Sequence, residues 1–309
     1  MSIQDALQAV EDQMFDVVNS DVTVLRDASR HILQAGGKRV RPRILMLAFT
    51  ASGGTDTAYA VPVAAAVELV HTASVVHDDI NDHGVVRRGR PSVNSIWGRT
   101  FALLTGDYLF TKVYELMGPY QDLNSVLAEA TVALVEGETL QAAAVKDNNF
   151  SRQVYYDIIA RKTAALFRSS ARLGAKLARA SEDVVEALGQ YGFNIGLAFQ
   201  IIDDVLDLVA DETKLGKTAG IDVAQGRGFA VAHAGNGHTN GGVAVAEEIA
   251  VDPMVFIREK VLRGDAIEEA YHQARILSDA AIAALDILPD SPEKNALIDL
   301  AEMMVKRDH

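Results

Sequence analysis

The sequence predicts an all-α protein, and three observations carry that expectation. Apolar residues recur at helical spacing in run after run along the 309 residues. Alanine, leucine and glutamate, all good helix formers, are abundant within an overall hydrophobic share of 49%. The tight-hairpin signal Asn-Gly occurs only at Asn236-Gly237 and Asn240-Gly241, inside one short segment. No short-period repeat and no linker divides the chain. The expectation is therefore one domain over residues 1–309, a helical bundle with a large core.

Taken in order, residues 3–20 alternate apolar and charged groups at helical spacing, and Val22–Gln34 does so again. Gly36-Gly37 then ends a helix and lets the backbone turn. Lys38, Arg39 and Arg41 follow, with Pro42 suited to the first turn of the next helix. Cations near the positive end of that helix favour an anion, although an ordinary basic loop is the competing reading. Arg43–Ala51 continues as an apolar helix, closed by Ser52-Gly53-Gly54.

The next helix, Ala58–Asp82, ends in Asp78, Asp79 and Asp82. Residues four apart lie one turn above each other, so Asp78 and Asp82 share a face, with Asp79 beside them. Like charges repel at that spacing, and a helix C-terminus is the wrong end for negative charge. A cation between the carboxylates relieves both problems. The basic turn Arg87-Arg88-Gly89-Arg90 comes directly after.

Ser92–Gly118 reads as one or two helices around Gly106-Asp107. Leu123–Val145 is amphipathic and carries Glu136, Glu138 and Gln141; a solvated face is expected for Glu138 and Gln141, with hydrogen bonding inside the cavity as the alternative. Gln153–Leu177 carries Lys162 and Thr163 in apolar surroundings, where the lysine stem is expected to run to the surface. Ser181 caps a run to Val209 that ends in Asp203, Asp204 and Asp207, the same pattern as before. Beyond it lie Lys217, Arg227 and the glycine-rich 234–242 segment. Two amphipathic helices are expected within Val243–Leu288, and Ser291-Pro292 opens a last one.

Composition narrows the function. A net charge of −13 argues against a nucleic-acid binder. The absence of cysteine excludes disulfides and thiolate chemistry and fits a cytoplasmic protein. No uninterrupted apolar stretch reaches the ~18 residues of a membrane span, and Met1–Asp5 lacks the features of a signal peptide. An anionic ligand must be held by local cations or by metal. Two carboxylate clusters, each attached to an apolar run, suit Mg²⁺ shared with substrate phosphates.

The combination resembles the trans-isoprenyl diphosphate synthases, or polyprenyl synthetases, over nearly the whole chain. It rests on Gly36-Gly37-Lys38-Arg39-Val40-Arg41-Pro42, the DDxxD at Asp78 to Asp82, Arg87-Arg88-Gly89, Gly106-Asp107, Lys162-Thr163, Phe199-Gln200, the DDxxD at Asp203 to Asp207, and Gly216-Lys217. The C-terminal stretch from Leu288 to Arg307 is most similar to the bacterial long-chain, octaprenyl-type branch. The resemblance implies an isoprenoid-synthase-type bundle around a central cavity, as a homodimer, with loose membrane contact for product release. It implies that isopentenyl diphosphate is condensed with an allylic diphosphate to give an all-trans polyprenyl diphosphate. Asp78, Asp82 and Asp203 would be principal ligands of three magnesium ions, with Asp79, Asp204 and Asp207 supporting. Arg87, Lys162, Thr163, Gln200 and Lys217 would hold the allylic diphosphate. Lys38, Arg41, His71 and Arg88 would hold isopentenyl diphosphate; a core histidine is the alternative for His71.

In place of the family's Gly-Lys-x-Thr the chain has Gly226-Arg227-Gly228-Phe229, which keeps a positive charge at Arg227. Ala73 and Ser74, one turn before Asp78, are small where short-chain synthases place an aromatic. With Val67 and Ala66 below them, no floor is expected within about 18 Å, some twelve residues at about 1.5 Å each. A product of C20 or longer is expected. Three rivals stand beside this reading: a class I terpene cyclase, a non-catalytic subunit of a heteromeric synthase, and a di-iron bundle built on Glu68/His71 and Glu269/His272.

Overall fold

The computed structural model describes residues 2–147, 149, 151–209 and 266–306. Helix α1 (Ile3–Val17) starts at a capping box in which Ser2 and Asp5 bond reciprocally. It is followed by α2 (Thr23–Gln34), α3 (Val40–Ala51) and the long α4 (Thr57–Asn81), which Asp56 caps. The expected basic turn is a short antiparallel hairpin, β1 (Val86–Arg87) and β2 (Arg90–Pro91), pairing Val86 with Pro91 and Arg87 with Arg90. Its two central residues, Arg88 and Gly89, are both left-handed at φ 52° and 73°, as a type I′ turn demands.

The run Ser92–Gly118 forms two helices, α5 (Val93–Trp97) and α6 (Arg99–Met117), broken at Gly98 with φ 81°. Helix α7 spans Asn124–Lys146. The run expected as one helix from Gln153 is α8 (Arg152–Ile159), a π turn over Ala160–Ala164, and α9 (Ala165–Leu177). Then come α10 (Glu182–Val209), α11 (Ala266–Ala284) and α12 (Pro292–Val305). The last is capped by Ser291, whose hydroxyl accepts from the Lys294 amide at 3.0 Å.

The bundle is organised on α4. By length and composition α4 would cross a membrane, but 78% of its most apolar stretch is buried, as befits a core helix. It packs most extensively against α6, while α10 packs against α9 and α11, and α3 against α9. One apolar cluster surrounds α4 and α6, a second joins α3, α9, α10 and α12, and a third joins α8, α10 and α11. Thus both aspartate-bearing helix ends are held by deep packing on the helices that carry them.

The carboxylates of the di-iron alternative are already occupied. Glu68 pairs with Arg39 at 3.1 Å and Glu269 with Arg152 at 3.3 Å.

Candidate active site

At the end of α4, Asp78 and Asp82 are half-buried, whereas Asp79 is buried at 2% exposure. On α10, Asp203 is half-buried, with Asp204 and Asp207 buried. In each motif the first carboxylate is therefore open and the second is enclosed. The buried ones have protein partners. Asp79 accepts two bonds from Arg87, at 2.6 and 3.0 Å. Asp204 accepts from the Tyr155 hydroxyl at 2.6 Å and from Gln200 at 2.8 Å. Burial raises the Asp79 carboxyl above its ordinary range even with Arg87 beside it.

Helix α4 is pinned to α6 immediately before its motif. His77 Nε2 lies 3.2 Å from the Leu103 carbonyl oxygen and 3.5 Å from Asp107. A Cβ on Gly106 would collide with the His77 ring, so this glycine is what lets α6 come so close.

Lys162 stands between the two aspartate helices. Its ammonium lies 3.5 Å from Asp78, contacts Glu138, and donates to Gln141 at 2.9 Å. The expectations of a surface-seeking lysine and a solvated Glu138 and Gln141 are therefore corrected. One face of α7 lies against the π turn, while Glu136 on another face pairs with the exposed Arg161. Burial works against the charge on Lys162, yet Asp78 and Glu138 together hold it above an ordinary lysine. Glu138 feels burial first and Asp78 second, and its carboxyl is pushed up to about 7 in spite of Lys162.

The next residue continues the connection. The Thr163 hydroxyl donates to Gln200 at 2.8 Å, and Gln200 donates to Asp204. The π turn makes this possible: the Ala165 amide reaches back to the Ala160 carbonyl, so the turn is wider than an α-helical one. Two glycines clamp it. A Cβ on Gly137 of α7 would lie 2.6 Å from the Lys162 nitrogen, and one on Gly196 of α10 would lie 2.7 Å from the Ala164 Cα. A run of contacts thus leads from Asp78 through Lys162, Thr163 and Gln200 to Asp204.

A second basic group forms where α3 begins. Arg39, left-handed at φ 46°, is buried and donates to Glu11, Glu68 and the Leu33 carbonyl. Lys38 before it is exposed, and Arg41 after it is buried over the Phe167 ring at 4.7 Å. The Arg88 guanidinium lies against Gly37, where a Cβ would sit 2.6 Å from its Nη1. Loss of solvation, with the charge of Arg88 added, brings the Arg41 guanidinium down to about 10 in spite of Glu68 and Asp203. Loss of solvation and the surrounding Arg41, Arg88, Arg87 and Arg39 hold the His71 imidazole neutral. The structure therefore gathers Arg41, His71 and Arg88 into one cationic corner, with Lys38 on the same turn. Arg87 is turned instead to Asp79. Lys217, Arg227 and the 226–242 segment lie outside the described residues.

The open channel expected beside α4 is closed at this point. Ala66, Val67 and Ala73 have no accessible surface, and Ser74 is nearly buried. Small side chains here admit α6 closely, and protein interiors pack densely enough to fill such space.

The half-buried Asp78, Asp82 and Asp203 offer the hard oxygen donors that Mg²⁺ takes alongside phosphate oxygens. Among the described residues no three acidic or histidine side chains converge into a ready-made metal cluster. A donor set of this kind fits an ion that shares its shell with substrate phosphates. Tyr155 belongs to the site although sequence reasoning did not place it there, and Glu138 and Gln141 belong to it by the alternative that the solvated face had outweighed. Glu138 and Gln141 share one turn of α7, the only signal that pointed to them.

Comparison with known proteins identifies the relatives of the chain. The family model for polyprenyl synthetase matches residues 22–247. The chain is 39% identical to the heptaprenyl diphosphate synthase component 2 of Geobacillus stearothermophilus, across 99% of this chain and 97% of that one. It is 34% identical to the octaprenyl diphosphate synthase of Escherichia coli, across 100% and 97%. A crystal structure of a polyprenyl synthase from Caulobacter crescentus, complexed with calcium and isoprenyl diphosphate, superposes with a TM-score of 0.90. That protein is 33% identical, with 99% of this chain and 96% of that one covered.

Proposed function

The chain belongs to the polyprenyl synthetase family and is a prenyl transferase, and on that premise we propose how its residues divide the reaction. It extends an allylic diphosphate with isopentenyl units, and the product is an all-trans polyprenyl diphosphate of C20 or longer, in the long-chain class. The observation that carries the reading is the run of contacts from Asp78 to Asp204, which sets the lysine ammonium beside Asp78 and ties its π turn through Gln200 to Asp204.

Asp78, Asp82 and Asp203 hold magnesium, with Asp79, Asp204 and Asp207 behind them. Bound Mg²⁺ supplies charge neutralisation for the diphosphate. Lys162 adds a fixed positive charge where negative charge grows on the leaving group, so the allylic C–O bond breaks more readily. Arg41, His71, Arg88 and Lys38 hold isopentenyl diphosphate with its double bond toward the allylic C1. The double bond attacks C1, a new C–C bond forms, and the released diphosphate takes the proton lost from the isopentenyl unit. No protein nucleophile is needed.

A homodimer is part of the proposal. Leu103, Leu104 and Tyr114 on α6 and Val132 and Val135 on α7 are exposed apolar side chains, and a partner helix face would cover them. The relative named as a component 2 favours a second reading, in which a different subunit is required. One experiment separates them. Purified chain alone is incubated with Mg²⁺, isopentenyl diphosphate and each of geranyl, farnesyl and geranylgeranyl diphosphate, and the dephosphorylated products are sized. Elongated products of C20 or more support the proposal. No elongation by the chain alone favours the two-subunit reading.

A further inference from the structure

Glu138 stands where a carboxylate is costly. Its side chain is 25% exposed, and both burial and Asp78 oppose its charge. Lys162 offsets this by contact with it. Gln141, one turn on, accepts a hydrogen bond from the same ammonium at 2.9 Å. A lysine has a flexible four-carbon stem and three donors free to rotate, so its place is set by its partners. Here two of those partners come from one helix, α7. Gly137, next to Glu138, is what brings α7 within reach, since any Cβ there would lie 2.6 Å from the Lys162 nitrogen.

We propose that Glu138 is a positioning residue for prenyl transfer: with Gln141 it holds the Lys162 ammonium beside Asp78, where the diphosphate of the allylic substrate is bound. Glu138 acts through Lys162 and does not itself touch substrate. The inference rests on the prenyl-transfer reading above. The competing role is simple packing between α7 and the π turn, and that role would disturb both substrates alike.

A double-variant cycle distinguishes the two. Geranyl diphosphate binding is measured by calorimetry with Mg²⁺ present for wild type, Glu138→Gln, Lys162→Ala and the double variant. Steady-state KM values for both substrates are measured for wild type and Glu138→Gln. Glu138→Gln is expected to weaken geranyl diphosphate binding about tenfold, the scale of one charge-assisted hydrogen bond. In the Lys162→Ala background the same change is expected to matter by no more than about twofold, the limit of ordinary additivity. The KM for isopentenyl diphosphate should stay within that twofold.

Weakening that multiplies in the double variant, or that falls equally on both substrates, overturns the proposal. Melting temperatures check folding. If Glu138→Gln does not fold, Glu138→Asp replaces it and the same two outcomes decide. Wild type that neither binds nor extends geranyl diphosphate would defeat the prenyl-transfer reading itself. Wild type that does both, with independent effects of the two substitutions, defeats only the positioning role.

Discussion

The Arg87 guanidinium donates through two nitrogens to a single oxygen of Asp79, at 2.6 and 3.0 Å. The second aspartate of the first motif is thereby tied to the β1–β2 hairpin, while Asp78 meets Lys162 instead. The two adjacent carboxylates therefore do different work, and substitution should separate them. Asp78→Ala or Asp203→Ala should nearly abolish turnover with little change in stability. Asp79→Ala should cost about 2 kcal/mol of stability, below the range for fully buried pairs because Arg87 is 30% exposed. Urea unfolding and steady-state assays read both. Asp203→Ala turning over near the wild-type rate at saturating Mg²⁺ would refute the two-motif site.

Arg41 combines charge with a ring contact. Arg41→Ala and Lys38→Ala should raise the KM for isopentenyl diphosphate more than that for the allylic substrate. Arg41→Lys should also raise it, because lysine keeps the charge but not the planar face that lies over Phe167. Lys217→Ala, at a position outside the described residues, should show the opposite preference. Kinetics with each substrate varied in turn give the answer, and equal effects on both would mean that the two pockets are wrongly divided.

Glu138 gives stability a pH dependence of defined sign. Its carboxyl, faced by Asp78 and Lys162, releases its proton at about 7 in the folded chain. An unfolded glutamate does so near the ordinary value of about 4.3. The folded state binds more protons between those values, so the stability contributed by this group falls as pH rises from about 4 to about 7 and is level above. In metal-free protein, Glu138→Gln should gain on wild type by a few degrees of melting temperature across that window. Parallel melting profiles of the two proteins would show that the group does not titrate there.

Ala73 and Ser74 are packed against their neighbours, and the Ser74 hydroxyl bonds back to the His71 carbonyl at 2.8 Å. A growing chain that passes along α4 must displace something at this level. Ala73→Phe or Ser74→Phe should shorten the product and leave the first condensation largely intact, at about 1–3 kcal/mol of stability for overpacking. Product sizing settles it: an unchanged distribution in both variants, or wild type stopping at C15, would place the determinant elsewhere.

The helices were legible because apolar spacing and caps report directly on burial; Ser291 before Pro292 is one case. The aspartate motifs were legible because like charges at helical spacing ask for a cation. What stood opposite each face was not. The pattern of α7 shows that Glu138 and Gln141 share a face, but nothing in it shows that Lys162 lies across from them. The hairpin escaped because two-residue strands carry no alternation, and because Arg88 adopts a left-handed conformation that its side chain does not advertise. Tyr155 escaped because one of two adjacent tyrosines in a short helix gives no hint of a carboxylate 49 residues on.

The π turn at Ala160–Ala164 has a consequence for insertions and deletions. Such a turn amounts to one residue added to an α-helix, and the helix on either side stays intact. Removing a single residue from it would restore regular α-helical bonding, a change that local helix stability would tolerate. The five residues of the π turn sweep about the same angle as four α-helical residues, so α8 and α9 would keep their facing while the turn itself narrowed. Tyr155 on α8 and Phe167 on α9 would still meet α10 and α3 as they do now. The extra residue thus serves the site and not the helix: a length change harmless to secondary structure would move Lys162 and Thr163 away from Asp78 and Gln200.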